Sequence, residues 1–351
     1  MEIIRTTNLK KKPEKGADLG FGKIFTDYML TMRYRDGKWQ EPRIEPYGPV
    51  EFDLATTVFH YAQGIFEGLK AFKDEKGNIR VFRPDENFKR MNRSAERMCI
   101  PKIDEKVVLD GLFELLRLER DWIPTEPSTA LYIRPSIIAT NIMLGVHAST
   151  EYLFFIILSP VGTYYASGLE PTSLLVEDYY TRATIGGTGE CKCIANYAVS
   201  LKASEEAEKK GFDQVLWLDA KEKKYVEEVG SMNMFFVING EVITPELVGS
   251  ILHGITRKSS IELLKANGYK VSERRITIDE VIEAQKNGTL DEAFGTGTAA
   301  VISPVGLMQY KGTDYVVNGG KMGPITKWLY DTITGIQKGT VEDKLGWVVT
   351  L

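Results

Sequence analysis

The sequence predicts a mixed α and β protein built from two domains. The chain has 351 residues, 43% of them hydrophobic, which is more than one ordinary core needs. Segments with helical periodicity are interspersed with strand-length apolar runs in both halves. Between the halves, a cluster of proline and glycine from Ser159 to Pro171 predicts a connection. The predicted division is a smaller domain at 1–162, a connecting loop at 163–173 and a larger domain at 174–351.

In the first half, two helices precede two buried strands. Phe88, Met91, Ala95 and Met98 recur at helical spacing, which predicts the first helix. The second helix repeats that pattern, and the strands are short apolar runs. The four segments are 85–98 and 107–120 for the helices, and 129–138 and 152–158 for the strands.

The second half opens with a strand, a helix closed by Gly211 and a further strand, which is a βαβ-like order. Asn239-Gly240 between two apolar runs predicts a hairpin, because these residues tolerate the positive φ angles of a two-residue turn. Thr277 and Glu280 have the spacing of a capping box for a helix that ends before Gly288. The first three segments are 172–176, 195–210 and 214–218, and the hairpin strands are 235–238 and 241–244.

Charge and hydropathy patterns exclude several classes of protein. Forty-four Lys and Arg stand against 48 Asp and Glu, a formal net charge of −4. Both signs are scattered, which argues against nucleic acid as the main partner. The apolar runs are only strand-length, and no apolar stretch follows the lysines at 10–12. A soluble protein without a transmembrane segment or secretory signal is therefore expected.

Cysteine and histidine are scarce. Three cysteines do not make a disulfide framework, and a reducing, cytoplasmic setting fits that number. None of the three histidines pairs with another at ligand spacing. No metal site is expected for this reason.

A glycine-rich run, Gly186-Gly-Thr-Gly-Glu-Cys-Lys192, leads into a lysine. It is not a P-loop, which needs Gly before the lysine and Ser or Thr after it, whereas this chain has Cys191 and Cys193. A lysine in a glycine-lined pocket also serves as a nucleophile when its surroundings lower its pKa. On spacing alone, a nucleophilic lysine and an ordinary surface lysine both remain open.

Other segments combine polar groups with backbone features. Gly254-Ile-Thr256 opens a predicted helix whose first amides suit a phosphate. Gly295-Thr-Gly-Thr-Ala299 is a small-residue turn that brings amides close to an anion, or simply a tight strand-to-helix turn. Tyr132 and Arg134 stand two apart in a predicted strand and so share a face. Glu227 and Glu228, read without further context, indicate a solvated strand end.

Motifs over nearly the whole chain match one family in the family's order. Together they resemble the branched-chain aminotransferases among the fold-type IV pyridoxal-phosphate enzymes. That resemblance implies two domains like those of D-amino acid aminotransferase: a smaller α/β domain and a larger cofactor-binding domain with a barrel-like sheet core. Besides the glycine-rich run, the motifs are Phe21-Gly-Lys-Ile-Phe-Thr-Asp27, His60-Tyr61, Phe66-Glu-Gly-Leu-Lys-Ala-Phe72, Phe82-Arg-Pro84, Asn196-Tyr197, Glu228-Val-Gly-Ser-Met-Asn233 and Gly295-Thr-Gly-Thr-Ala299.

The resemblance implies pyridoxal 5'-phosphate as cofactor and Lys192 as the Schiff-base lysine, which also moves the proton between Cα and the cofactor. It implies that Glu228 faces the pyridine nitrogen and Tyr197 the phenolate oxygen, with Glu227 an ordinary surface residue. Ser231, where vertebrate members have threonine, is assigned to the cofactor as well. The implied phosphate contacts are Arg90, Ile255, Thr256 and Thr298.

The resemblance also implies the substrates: leucine, isoleucine and valine on one side and glutamate with 2-oxoglutarate on the other, in a ping-pong reaction. Tyr132 and the backbone at Thr298 and Ala299 are expected to hold the α-carboxylate. Arg134 is expected to meet the distal carboxylate of glutamate. The expected pocket wall is Phe21, Tyr61, Phe66 and Tyr164, with Tyr61 and Val146 reaching a neighbouring subunit of a homodimer.

Some positions depart from the family. Ala195 stands where the family usually has glycine. Ala300 and Ser303 replace the Cys-x-x-Cys pair of vertebrate members, so the redox switch of that pair should be absent. A D-amino acid aminotransferase and an aminodeoxychorismate lyase would share the lysine, the glutamate and the phosphate helix, but Arg134 after Tyr132 argues against both. A phosphate- or nucleotide-binding module without covalent chemistry is the alternative from another class.

Overall fold

The computed structural model describes residues 1–162 and 169–351, and the chain divides into two compact units. The first contains residues 1–162 with Cys191–Ala195 and Gly335–Leu351, and the second contains 169–190 with Asn196–Thr334. Two segments of the predicted larger domain are thus counted with the first unit. The boundary predicted at 163–173 lies partly outside the described residues and stays a prediction.

A ten-stranded sheet forms the first unit. Its long central strands pair along their whole length and are buried because helices at 84–97 and 105–118 cover the sheet. The strands are β1 (Glu2–Ile3), β2 (Tyr28–Arg35), β3 (Lys38–Trp39), β4 (Arg43–Pro46), β5 (Gly64–Phe66), β6 (Leu69–Lys73), β7 (Ile79–Phe82), β8 (Ala130–Ala139), β9 (Tyr152–Val161) and β19 (Val348–Thr350), and the helices are α1 (Thr57–Tyr61), α2 (Pro84–Arg97) and α3 (Glu105–Leu118).

The strand order in this sheet is β1-β4-β2-β9-β8-β6-β7-β19, with β3 beside β2 and β5 beside β8. Phe88, Met91 and Ala95 are fully buried on α2, as their spacing predicts. Asp104 caps α3 by accepting hydrogen bonds from the backbone amides of Lys106 and Val107. The two predicted helices and two predicted strands of the first half are confirmed.

The second unit contains nine strands and most of the remaining helices. Its strands are β10 (Thr172–Glu177), β11 (Gln214–Leu218), β12 (Val226–Val229), β13 (Met232–Ile238), β14 (Glu241–Thr244), β15 (Val271–Glu273), β16 (Leu290–Gly297), β17 (Val301–Tyr310) and β18 (Thr313–Val316). The helices are α4 (Ala195–Val199), α5 (Leu201–Lys209), α6 (Ile255–Ala266), α7 (Ile278–Lys286) and α8 (Pro324–Lys338), the last ending among the residues of the first unit.

Six strands of this unit close into a barrel. The order β12-β11-β10-β17-β16-β13 returns on itself because β12 also pairs with β13. Closure leaves these six strands without a free edge between them. Strand β10 pairs in parallel with β11 across α4 and α5, which confirms the predicted βαβ order. The mixed α and β class and the barrel-like core are confirmed.

Some predictions of local structure in this unit are confirmed and others are wrong. Asn239 and Gly240 turn the β13–β14 hairpin with φ angles of 50° and 72°, as predicted. Thr277 caps α7 through its hydroxyl, but the Glu280 carboxylate bonds Arg274 instead of completing the capping box. The helix predicted at 195–210 is two helices, which meet at Ser200.

The connection predicted to begin at Ser159 starts later, because β9 continues to Val161. Pro160 keeps its place in this strand opposite Leu131, since a strand position tolerates proline where its missing amide is not needed. No helix in the described part of the chain is long and apolar enough to cross a membrane.

Candidate functional site

Lys192 lies in a short segment that adds to the sheet of the first unit. Its carbonyl accepts a hydrogen bond from the Phe66 amide at 3.0 Å, and the Ile194 amide donates to the Gly64 carbonyl at 3.1 Å. The Ser94 hydroxyl accepts from the Lys192 amide at 3.0 Å. The backbone on both sides of the lysine is therefore fixed to β5, independent of its side chain.

The ammonium of Lys192 lies over an aromatic ring. Its Nζ is 4.8 Å from the centre of the Phe66 ring, and the Arg134 guanidinium is 4.6 Å from the same centre. A ring face attracts cations through its quadrupole, at about 0.5–2 kcal/mol each. The first unit thus places a lysine amine and an arginine fork beside one aromatic wall.

Tyr132 and Arg134 share a face of β8, as their spacing predicts. Arg134 donates a hydrogen bond from Nη2 to the Tyr132 hydroxyl at 3.0 Å. Phe21 packs edge-on against the Tyr132 ring at 4.9 Å, while Leu131 and Ile133 are fully buried in the core. Four predicted substrate residues, Phe21, Phe66, Tyr132 and Arg134, therefore meet in one cluster with Lys192.

Arg90 is buried on α2 and forms a forked ion pair with Glu67. Its Nε and Nη2 each donate to a Glu67 carboxylate oxygen at 2.7 Å. The same carboxylate also accepts from the side-chain Nδ2 of Asn87 at 2.8 Å. Such a fork holds the guanidinium plane in one orientation. Arg90 was predicted as a site residue and Glu67 was not, although Glu67 lies inside the motif that begins at Phe66.

Glu228 is buried in the barrel of the second unit, at 2% exposure. One carboxylate oxygen accepts from the Leu252 amide at 2.7 Å, and the other lies 3.3 Å from Arg182 Nε. The neighbouring Glu227 was predicted to be a surface residue, and this was wrong: it is only 4% exposed. Burial raises the pKa of Glu227, and the Ser250 hydroxyl and Arg182 oppose that rise.

Ile255 and Thr256 form the first turn of α6, so the predicted helix start is confirmed. The residue before them, Gly254, contributes no capping side chain. A Cβ at Gly254 would come within 1.9 Å of the Asn233 side-chain oxygen, so a larger residue does not fit here. Because no side chain caps this end, its backbone amides suit an anion of phosphate size.

Thr298 and Ala299 lie in the turn that joins β16 to β17, both half-buried. The alternative of a strand-to-helix turn is wrong, since an antiparallel strand follows. Val301 begins that strand with a φ of +64°, which β-branched residues rarely adopt. In β16, the Thr296 hydroxyl is buried without a hydrogen-bond partner among the described residues.

The glycine-rich run before the lysine passes close to the backbone at Ser250. A Cβ at Gly189 would come within 2.2 Å of the Ser250 carbonyl, which only glycine permits. Thr188 and Asn196 then exchange hydrogen bonds of 2.7 Å in the second unit. Tyr197 follows, half-buried at the start of α4, whereas Ser231 is exposed in the turn between β12 and β13.

Tyr61 ends α1 and Val146 lies in the loop after β8; both are exposed, Val146 at 82%. The Tyr61 hydroxyl donates to the Leu144 carbonyl, which ties α1 to the loop after β8. Tyr164 lies outside the described residues.

Sequence reasoning missed Arg182 and Ser250 as well as Glu67. Arg182 and Ser250 belong to no motif. Arg182 contacts Glu228 and Ser250 contacts Glu227 only in the folded barrel. Among the described residues, no group of three or more His, Cys, Asp and Glu is arranged to hold a metal ion.

Comparison with known proteins gives a consistent result. The model of the family "Amino-transferase class IV" matches residues 64–307. The chain is 57% identical to branched-chain-amino-acid aminotransferase 2 of Bacillus subtilis, covering 99% of this chain and 96% of that protein. It is 54% identical to branched-chain-amino-acid transaminase 1 of the same organism, covering 99% and 98%.

Solved structures agree with these relatives. The Escherichia coli branched-chain amino acid aminotransferase superposes with a TM-score of 0.76 at 27% identity, covering 92% of this chain and 98% of that one. The T.th. branched-chain amino acid aminotransferase with pyridoxamine 5'-phosphate has a TM-score of 0.75 at 26% identity, covering 91% and 97%.

Proposed function

We propose how the residues described above carry out amino transfer, since this chain belongs to the class IV aminotransferases and, within them, to the branched-chain-amino-acid aminotransferases. The reaction moves the amino group between leucine, isoleucine or valine and 2-oxoglutarate, giving branched-chain 2-oxo acids and glutamate. The cofactor is pyridoxal 5'-phosphate. The observation that carries the proposed site is the pair of cations, Lys192 and Arg134, over the Phe66 ring.

The donor set of the second unit fits the cofactor. The uncapped first turn of α6 suits its phosphate, and the buried Glu228 carboxylate suits its ring nitrogen. When bound, pyridoxal phosphate supplies an aldehyde carbon that accepts the amino group and a ring that accepts electrons from Cα. We assign the phosphate to Arg90, Ile255, Thr256 and Thr298, the ring nitrogen to Glu228, the phenolate oxygen to Tyr197 and a further contact to Ser231.

Lys192 is assigned both the covalent attachment and the proton transfer. An amine released from its bond accepts the Cα proton of the substrate and later returns it. The backbone of Lys192 is held to β5 by hydrogen bonds that do not involve the side chain. Nζ can therefore move over the Phe66 ring while its Cα stays in place.

Substrate selection is assigned to the cluster on β8. Arg134 carries a planar fork that suits the distal carboxylate of glutamate, and its cation rests on Phe66. Apolar side chains of leucine, isoleucine and valine need the aromatic surface instead. We assign the α-carboxylate to Tyr132 and the backbone at Thr298 and Ala299, and the pocket wall to Phe21, Tyr61, Phe66, Val146 and Tyr164.

A homodimer in the cytoplasm belongs to the same proposal. The support for a dimer is an exposed apolar patch in the first unit, formed by α1 with the loop before it and by the loop after β8. The amide of Met143 donates to the Ala55 carbonyl, so the loops are tied to each other. Monomeric proteins rarely expose apolar groups in such clusters. The apolar patch consists of Leu54, Phe59, Ile142, Met143, Leu144 and Val146.

The first experiment is the visible absorption spectrum of the purified protein with pyridoxal phosphate. We expect a visible band that leucine removes and 2-oxoglutarate restores, because the two half-reactions interconvert the forms of the cofactor. Alanine, added in place of leucine, is the control for a general amine effect. A colourless protein that takes up no pyridoxal phosphate would overturn the proposal and favour a non-covalent phosphate binder.

The dimer is tested by sedimentation of the protein and of Val146→Asp. A charge within a buried apolar interface is costly, so we expect the variant to sediment as a smaller species. Lys106→Glu, on the solvent side of α3, is the control. A wild-type protein that sediments as a monomer would contradict the proposed dimer.

A further inference from the structure

Glu227 and Glu228 lie at an irregularity of the barrel. Leu216 pairs with Val229 and Leu218 with Val226, so two residues of β12 stand opposite the single Trp217 of β11. A β-bulge of this kind breaks the usual alternation of side chains along a strand. Here both carboxylates bond one neighbouring segment, Glu227 through Ser250 and Glu228 through Leu252. Two acids thus share one buried location.

Arg182 is the cation beside this carboxylate pair. Its Nε lies 3.3 Å from a Glu228 oxygen, and its Nη2 donates to the Ser250 carbonyl at 2.5 Å. A weaker bond of 3.4 Å reaches the Gly189 carbonyl. The side chain of Arg182 is buried at 9% exposure, so its charge is poorly screened. The positive charge of one arginine therefore acts on two adjacent carboxylates.

The environments of the two carboxylates differ. Glu228 receives the Leu252 amide and the Arg182 ion pair. Glu227 receives the Ser250 hydroxyl on one oxygen, while its second oxygen is buried and has no hydrogen-bond partner among the described residues. A buried anionic oxygen without a donor is far costlier than a neutral one. Two carboxylates at one site also avoid being ionised together.

Other charged groups near Glu227 do not change which of the two carboxylates is expected to keep the proton. Asp219 adds negative charge, but its carboxylate accepts hydrogen bonds from four backbone amides of the turn that follows it: Lys221, Glu222, Lys224 and Tyr225. Lys223 adds positive charge, but its ammonium bonds the Tyr180 carbonyl and the Thr181 hydroxyl at 2.6 and 2.7 Å.

We propose that Arg182, Glu227 and Ser250 form a positioning cluster that holds Glu228 ionised and oriented, with the single proton of the carboxylate pair on Glu227. The proposal rests on the proposed role of Glu228 toward the ring nitrogen of the cofactor. An ionised Glu228 keeps that nitrogen protonated, and the proton on Glu227 removes the repulsion that would otherwise oppose ionisation. Arg182 is a positioning residue because it acts through Glu228.

The proton is tested in the protein freed of cofactor. We expect a protonated carboxyl band of Glu227 in the infrared spectrum at neutral pH. It is measured as the difference between wild type and Glu227→Gln, because Glu119, whose pKa burial raises to about 7, absorbs in both proteins. In Glu228→Gln the band should disappear at lower pH than in wild type, because the neighbouring negative charge is gone. A neutral-pH band that Glu227→Gln leaves unchanged, or no band at all, would overturn the assignment of the proton.

Arg182 is tested in the holoenzyme by Arg182→Met. We expect the acid limb of the kcat profile to move to higher pH by about one unit, because the loss of a nearby cation disfavours ionised Glu228. Arg182→Lys should restore part of this shift. Arg275→Met is the matched control, since Arg275 stacks on Tyr225 in the same unit. If Arg182→Met folds poorly, the infrared experiment on the glutamate variants still decides the proton assignment.

The outcomes separate the role of Glu228 from that of Arg182. If Glu228→Gln keeps the wild-type rate, the proposed role of Glu228 toward the ring nitrogen is wrong. The claim that Arg182 supports catalysis through Glu228 is then wrong as well. If Glu228→Gln loses activity while Arg182→Met keeps the wild-type pH profile, only the positioning role of Arg182 is overturned.

Discussion

The two units contribute opposite kinds of chemistry. In the first, cations lie beside the sheet and on the helix that covers it: Lys192 and Arg134 over Phe66, and Arg90 on α2 forked to Glu67. In the second, buried carboxylates and backbone amides gather at a barrel strand and at the start of α6. The first arrangement is built from side chains that β5, β8, α2 and the segment of Lys192 hold in place. The second depends on loops whose backbone donors and acceptors are brought together by barrel closure.

This difference separates the tasks that an aminotransferase needs. The mobile amine and the carboxylate-binding arginine that we propose require side chains with reach, which strands present on one face. A charged group that must stay ionised requires fixed partners, which the bulge at Glu227 and Glu228 and the neighbouring loop provide. Variants in one unit should therefore change functions that variants in the other leave intact.

Lys192→Ala gives the largest expected effect and most directly tests the task assigned to the first unit. Turnover should fall by more than about 10³-fold, since both the covalent group and the proton acceptor are lost. Binding of pyridoxamine 5'-phosphate and the thermal unfolding temperature should change little, because the backbone bonds of residue 192 remain. Steady-state kinetics, equilibrium binding and circular dichroism measure these quantities. Turnover within tenfold of wild type would contradict the assignment.

Glu67→Gln tests the buried ion pair of the first unit. Arg90 would keep its buried charge without a matching carboxylate, so the free energy of unfolding should drop by about 3–5 kcal/mol. Denaturant titration of the apoprotein measures this loss. Asp110→Asn removes an exposed partner of Lys106 and serves as the control. An equal change in both variants would show that burial of the Arg90 pair does not matter.

Arg134→Leu should slow one half-reaction and leave the other near the wild-type rate. Loss of a charged hydrogen-bond donor costs about 1.5–3 kcal/mol, which predicts that the reaction with 2-oxoglutarate slows by about 10- to 100-fold. The reaction with leucine should stay near the wild-type rate, because its side chain needs the aromatic wall. Stopped-flow absorbance of each half-reaction provides the comparison. Equal losses in both would place Arg134 outside distal-carboxylate recognition.

Glu119 offers the smallest effect, on stability rather than activity. Burial raises its pKa from 4.5 to about 7, while the Tyr28 amide opposes the rise. The folded state thus binds a proton that the unfolded state releases between these pH values. Stability from this group is complete below about pH 4.5 and disappears as the pH rises through 7. Unfolding of wild type and Glu119→Gln at several pH values should show a steeper decline for wild type.

Much of the fold was predictable because local signals agreed with tertiary structure. The apolar spacing of α2, the Asn239-Gly240 hairpin and the parallel pairing of β10 with β11 follow from periodicity and turn chemistry. The extension of β9 through Pro160 was not predictable, since its partner strand decides which residues remain paired. The break at Ser200 likewise has no signal in the helical pattern.

The site was predicted in the same uneven way. Lys192, Tyr132 and Arg134 were identified from motifs and strand alternation, and their meeting with Phe66 follows the expected faces. Glu227 was wrongly predicted to be a surface residue because adjacent acidic residues usually indicate a solvated strand end, whereas both are buried at the bulge. Arg182 and Ser250 carried no motif at all.

Patterns along the chain specify the family, much of the arrangement of strands and helices and the shared face of residues two apart on a strand. These properties follow from short-range chemistry, which a linear pattern records. Folding then determines which charges are buried together: Glu67 with Arg90, and Glu227 with Glu228 beside Arg182. Burial and ion pairing depend on residues far apart in the chain, so no local pattern contains them.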